Sequence, residues 1–240
     1  ELFLDRRRFS YVNMNGIHVH IGSQIIQGKP FMDALKKVVD FALRLKKEGV
    51  GLTYLNIGGG LGIIYKDEKP QTADEFAKNI LPVLKKSRLR IILEPGRFIV
   101  GNSGILVTKV VYVKKTKVKD FVIVDAGMND LIRPCLYEAY HAVVPVHRDK
   151  ARDEKFCDVV APICESSDNL AKNHRIQRLD EGDLVACLSV GAYGVSMSSN
   201  YNSRPRVPEI VVKGNQFFTA RKRESREDLI KNEKIVKEAV

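Results

Sequence analysis

The stretch LTYLNIGGGLG, from Leu52 to Gly62, is a short apolar run that ends abruptly in glycine. A buried strand reads this way where its backbone must turn sharply or approach another group closely. The same grammar stands on either side, in GIHVHIGSQ (Gly16 to Gln24) and LRIILEPGR (Leu89 to Arg97). The intervals between the three runs are helical. In the first, Pro30 stands in the opening turn and Phe31, Ala34, Leu35, Val38, Val39, Ala42 and Leu45 recur at helical spacing, with Lys46, Lys47 and then Gly49 as the stop signal. In the second, Thr72 and Glu75 form a capping-box pair ahead of Phe76, Ile80, Val83 and Leu84, and Pro82 argues against the second half of that helix.

Strand and helix therefore alternate with a period of about 37 residues, which predicts parallel strands joined by right-handed crossovers. Such folds place their ligands beyond the C-terminal ends of the strands, which points to Ser23, Gly60 and Arg97. After Asn102 the pattern changes. ILVTKVVYV, FVIVDAG, AVVPV, DVVAPIC, DLVACLSVGAY and EIVV are strand-length runs rich in Val and Ile, separated by turn signals, with one helical turn expected near Leu136 to His141. The expected division is residues 1–102 as an α/β unit and residues 103–240 as a mostly antiparallel β-sandwich or barrel-like domain, closed by a charged helix from about Ser225.

A chain of 240 residues with 44% hydrophobic and 29% charged residues has the composition of a globular protein, and excludes a disordered tail or a disulfide-stapled miniature. No apolar run reaches the roughly 20 residues of a membrane helix, and the opening ELFLDRRRFS does not read as a secretory signal. The four cysteines are widely spaced, which predicts reduced thiols in a cytoplasmic protein and no zinc site. The net charge of +11 is scattered, and its densest clusters carry no interleaved stacking aromatics, so no nucleic-acid partner is expected.

Taken singly, the motifs are weak. A glycine-rich turn is common, GGGLG lacks the Lys-Ser/Thr of a nucleotide P-loop, and EPGR alone is an ordinary salt-bridged turn. His18 and His20 share a strand face, but no carboxylate or thiol nearby in sequence completes a metal set. Their order is what is specific. Histidine, triglycine and Glu-Pro-Gly-Arg at three successive strand ends, then CESSD (Cys164 to Asp168) and YNSRPR (Tyr201 to Arg206), resemble the diaminopimelate decarboxylases, in the alanine-racemase-like group of pyridoxal-phosphate enzymes, from about Gly16 to Val212.

The resemblance implies an α/β plus β fold: the last strands and helices of a PLP-binding (β/α)8 TIM barrel, then the antiparallel β domain. It implies pyridoxal 5'-phosphate as cofactor, with His20 stacked on its ring and Glu94 opposite the pyridine nitrogen. Ser23, the Gly58, Gly59 and Gly60 backbone and the Gly96–Arg97 turn would hold the phosphate. Cys164 would be the proton donor, reaching the site of a partner subunit in a homodimer together with Glu165. Arg133, Tyr137, Glu165, Tyr201 and Arg97 would bind substrate, Tyr201 also reaching towards the cofactor phosphate. An Arg133/Glu165 combination suits the carboxylate and amine at the far end of meso-diaminopimelate, where ornithine has only an amine. The implied reaction is decarboxylation of meso-2,6-diaminopimelate to L-lysine and CO2, the last step of lysine biosynthesis. Ornithine, arginine or carboxynorspermidine decarboxylases and a non-catalytic relative of the fold are the alternatives.

One motif of the family is not seen. Its Schiff-base lysine lies in a Tyr-Ala-x-Lys-Ala-like strand, and no such segment precedes His20. Three units fill the first hundred residues, and an eight-unit barrel would need about 170 more ahead of them. The chain by itself is expected to be inactive.

Overall fold

In a computed structural model, residues 1–236 are described, and the chain forms two compact units that divide between Ser103 and Gly104. The last four residues of the expected second domain lie outside the described part.

The first unit carries three short parallel strands, β1 (Gly16–His18), β2 (Tyr54–Asn56) and β3 (Arg90–Ile92), in that order across the sheet. The crossovers are α1 (Gly28–Lys47) and α2 (Ala73–Ser87), and α3 (Gly96–Val100) follows β3. Helix α1 buries Phe31, Leu35, Val38, Val39, Ala42 and Leu45, the stripe that its sequence spacing predicts. Gly49, with φ +77°, turns the chain out of it.

Helix α2 opens with a complete Thr72/Glu75 capping box and, against expectation, continues past Pro82 to Ser87. An interior proline costs about 3 kcal/mol. Val83 and Leu84, the two residues after it, are both buried, and each contributes about 2 kcal/mol. Tertiary packing thus holds the turn that local propensity would break. Phe31 and Phe76 meet edge to face at 5.0 Å where the two helices join their core.

The second unit is a six-stranded sheet made of β4 (Leu106–Lys115), β5 (Asp120–Val124), β6 (Val143–Pro145), β7 (Glu154–Val160), β8 (Asn169–Gln177) and β9 (Leu184–Cys187). Its order is β6-β9-β4-β5-β7-β8, and β5–β7 is the parallel pair among otherwise antiparallel ones. His174 Nε2 on β8 lies 2.6 Å from the Val143 carbonyl on β6, so the two edge strands come together and the sheet nearly closes. Val110, Val124, Val143, Val159 and Val185 fill its interior.

Two strands of this unit are absent from the sequence reading. Strand β8, NLAKNHRIQ, has polar and charged residues through its middle and becomes a strand by pairing with β7. Strand β11 (Gln216–Arg221) pairs with β10 (Glu209–Lys213) in a separate hairpin. The helical turn expected near Leu136 to His141 is α4, at Arg133–Tyr137. The charged helix is α5, capped by Ser225 with Asp228, and it extends only over Arg226–Ile230. Among the described residues no helix is long and apolar enough to cross a membrane.

Candidate active site

In the first unit the residues singled out by sequence come together beyond the ends of the three strands. Asn56, the last residue of β2, organises them. Its Nδ2 donates to Glu94 Oε1 at 2.6 Å, and its Oδ1 accepts the Gly58 N–H at 2.9 Å. His18 Nε2 stands 3.7 Å from the same carboxylate oxygen. The Gly59 N–H donates to His20 Nδ1 at 3.2 Å, so that nitrogen carries the lone pair and the ring is fixed in orientation. His20, Ser23 and Glu94 are exposed.

The triglycine is required for close approach. A Cβ on Gly58 would lie 2.7 Å from the Val19 carbonyl, one on Gly59 2.0 Å from that of Glu94, and one on Gly60 2.3 Å from that of Gly22. Three of the N–H groups expected to hold a phosphate have partners within the chain. The Gly58 and Gly59 N–H groups go to Asn56 and His20, and the Gly96 N–H goes to the Glu94 carbonyl at 2.8 Å. Glycine is there because the β2 loop must pack against the ends of β1 and β3.

Arg97, on the first turn of α3, donates through Nη2 to Ser23 Oγ at 3.0 Å and through Nη1 to Tyr65 Oη at 2.6 Å. The Tyr65 ring also lies 5.7 Å from its guanidinium carbon. These residues fit pyridoxal phosphate. An exposed imidazole of fixed orientation suits a flat ring, an exposed carboxylate suits a protonatable ring nitrogen, and a guanidinium with a hydroxyl suits a phosphate.

The second unit holds the remaining residues. Arg133 is buried, at 8% exposed, while Tyr137, one turn along α4, is 60% exposed. The two are therefore not equally presented to a ligand, although their spacing suggested it. Arg133 Nε donates to His141 Nε2 at 3.2 Å, and the Tyr193 ring lies 5.7 Å from the guanidinium carbon.

In the CESSD turn, the buried Asp168 carboxylate accepts the N–H groups of Ile163 at 2.6 Å and Met128 at 2.7 Å. Burial raises its pKa above the ordinary aspartate value despite those bonds. This anchor leaves Cys164 and Glu165 exposed. The Tyr201 hydroxyl donates to Glu165 Oε1, and that bond raises the phenol's pKa. Of the other three thiols, burial raises Cys135, pushes Cys157 up to about 11 and pushes Cys187 up to about 12. Cys164 is the exposed cysteine of the four.

Asn56, Tyr65, His141 and Tyr193 escaped the sequence reading. Asn56 and Tyr65 flank the triglycine in sequence and Tyr193 sits in a Gly-Ala-Tyr-Gly turn, which were the available signals. Among the described residues no group of three or more His, Cys, Asp or Glu is arranged to hold a metal ion.

Residues 11–191 match the family model described as the pyridoxal-dependent decarboxylase, C-terminal sheet domain. The chain belongs to this family. Among family members, the diaminopimelate decarboxylase of Vibrio cholerae is 46% identical over 95% of this chain and 54% of its own length. That of Aquifex aeolicus is 48% identical over 88% of this chain and 50% of its own. The Helicobacter pylori diaminopimelate decarboxylase solved with L-lysine superposes with a TM-score of 0.90 at 42% identity, covering 96% of this chain and 57% of that one. The likeness supports the fold read from the motifs, barrel units followed by a sheet domain. The chain spans about half the length of the curated relatives it matches.

Proposed function

We propose that the protein is a PLP-dependent diaminopimelate decarboxylase, converting meso-2,6-diaminopimelate to L-lysine and CO2. What supports this reading is a buried arginine, Arg133, together with an exposed Glu165–Tyr201 pair, on a chain that also holds the His20, Glu94 and Arg97 set. A carboxylate and an ammonium at one end of a substrate need such a cation and such an anion, and a diamine precursor needs only the anion.

In this proposal His20 would pack against the cofactor ring, and Arg97 and Ser23 would hold its phosphate. Glu94, oriented by Asn56, would favour a proton on the ring nitrogen. Pyridoxal phosphate, when bound, accepts the electron pair left as CO2 departs. Arg133 receives the distal carboxylate, with Tyr137 beside it, and Glu165, held by Tyr201, receives the distal ammonium. The Cys164 thiol delivers a proton to the carbon that has lost CO2, and the thiolate regains one from water. The family resemblance further supports a cytoplasmic homodimer in which Cys164 and Glu165 serve the partner subunit. Sedimentation as a monomer would remove the dimer, and recovery outside the cytoplasm on fractionation would remove the location.

The test is full-length protein with added pyridoxal phosphate and meso-diaminopimelate. Equimolar CO2 and L-lysine are expected, and absence of CO2 overturns the reading. With Cys164→Ser, kcat should fall by about 10²- to 10⁴-fold while L-lysine still binds. An unchanged kcat would take the proton-donor role from Cys164.

A further inference from the structure

His141 is 1% exposed and both its ring nitrogens are engaged. Nδ1 lies 2.9 Å from the Leu188 carbonyl oxygen, and since a carbonyl only accepts, Nδ1 carries the proton. Nε2 then holds the lone pair and accepts the Arg133 Nε–H at 3.2 Å. Its two neighbours thereby select one neutral tautomer.

The imidazole is tied to the sheet. His141 stands just before β6 and Leu188 just after β9, where Val143 pairs with Cys187 and the Leu188 N–H donates to the Ala142 carbonyl at 2.8 Å. The chain of contacts runs from strand backbone to imidazole to guanidinium edge, with the Tyr193 ring packed against the guanidinium.

We infer that His141 is a positioning residue: it sets the plane of Arg133 so that the guanidinium meets a carboxylate at the end of the substrate remote from the reacting carbon. This rests on the reading of Arg133 given above. An arginine side chain loses rotamer freedom when it is ordered, and a site that fixes it beforehand binds a planar carboxylate more tightly. Because His141 takes the Nε–H, a carboxylate cannot use the side-on fork that includes it. His141 thus sets the preference for an amino acid terminus over a bare amine.

The test uses full-length holoenzyme and two ligands, L-lysine and cadaverine, which differ by one carboxylate. Binding is read by calorimetry. His141→Asn keeps a donor where Nδ1 stood and loses the acceptor for Arg133, and His141→Gln can place an amide oxygen where Nε2 stood. His141→Asn is expected to weaken L-lysine by about 10- to 100-fold and cadaverine by less than about twofold. His141→Gln should bind L-lysine within about fivefold of the parent.

Equal loss of both ligands in His141→Asn, unchanged L-lysine binding, or failure of His141→Gln to keep the preference overturns the inference. If His141→Asn does not fold, as judged by circular dichroism, the glutamine variant still decides. Arg133→Leu separates the two levels. If it leaves L-lysine binding unchanged, the reading of Arg133 falls and the inference with it. If it weakens L-lysine while His141→Asn does not, the inference alone falls.

Discussion

Gly60 in the first unit and Tyr193 in the second both bend the chain through the left-handed region soon after a strand, with φ of +96° and +63°. At Gly60 the neighbouring carbonyl of Gly22 leaves no room for a Cβ. At Tyr193 a full side chain accepts that conformation, at a cost of about 1 kcal/mol or more, and its ring packs on Arg133. The first site is therefore built by bringing backbones close, and the second by holding side chains in place. Substitutions at comparable turns should accordingly fail in different ways.

The largest expected effect is in the first unit. Gly59→Ala places a Cβ 2.0 Å from the Glu94 carbonyl, a contact that only backbone movement relieves. In the full-length protein a loss of about 3 kcal/mol or more is expected by urea titration, together with loss of retained pyridoxal phosphate. Normal stability and cofactor content would break the comparison at its first term.

Next comes the anchor of the CESSD turn. Asp168→Asn keeps one acceptor for the two N–H groups of Ile163 and Met128 and turns an amide donor towards the other, for a cost of about 1–3 kcal/mol. Its pH dependence gives a second check. Because burial raises the Asp168 pKa, the protonated form is favoured in the folded state, and its contribution to stability diminishes as pH rises through that raised value. Asp183 has the opposite sign. Burial works to raise its pKa, and the Asp180 N–H and the Arg152 guanidinium more than offset this, so its stabilisation is present above 3.8 and lost as pH falls below. Asp183→Asn should therefore lower the urea midpoint more at pH 7 than at pH 3.

Tyr193→Gly sharpens the other half of the comparison. Removing the strained side chain should leave stability within about 1 kcal/mol, since relief of the left-handed conformation offsets the entropy of glycine. Binding of L-lysine should weaken by about 3- to 30-fold through loss of the ring on Arg133. The smallest effect belongs to Thr72→Ala, whose hydroxyl bonds to Glu75 in the cap of α2, with about 1 kcal/mol lost from that cap and no change in KM.

What could be read in advance follows the same division. The three parallel strands, the α1 stripe and the Thr72/Glu75 cap were legible because each is a local pattern. The persistence of α2 past Pro82 was not, since burial of Val83 and Leu84 is a tertiary fact. Strand β8 escaped because its centre, Lys172 to Arg175, has no alternating apolar residues and pairs only once β7 is in place. At the site, the motif residues were visible by type and order, but the residues that hold them were not. Asn56 reads as one more polar residue before a glycine run, and the Arg133–His141 bond closes only when α4 and the start of β6 are folded together. That the triglycine allows a close approach was legible in its composition, but which groups approach, the carbonyls of Val19, Glu94 and Gly22, is a tertiary fact.

The proposed substrate is an amino acid whose far end carries both a carboxylate and an amine. The most direct measurement is decarboxylation of meso-diaminopimelate and L-ornithine side by side by full-length holoenzyme, followed as CO2 release. The expected kcat/KM for meso-diaminopimelate is higher by about 10³-fold or more, because L-ornithine has no far carboxylate to meet the buried Arg133. Equal or faster turnover of L-ornithine would contradict it.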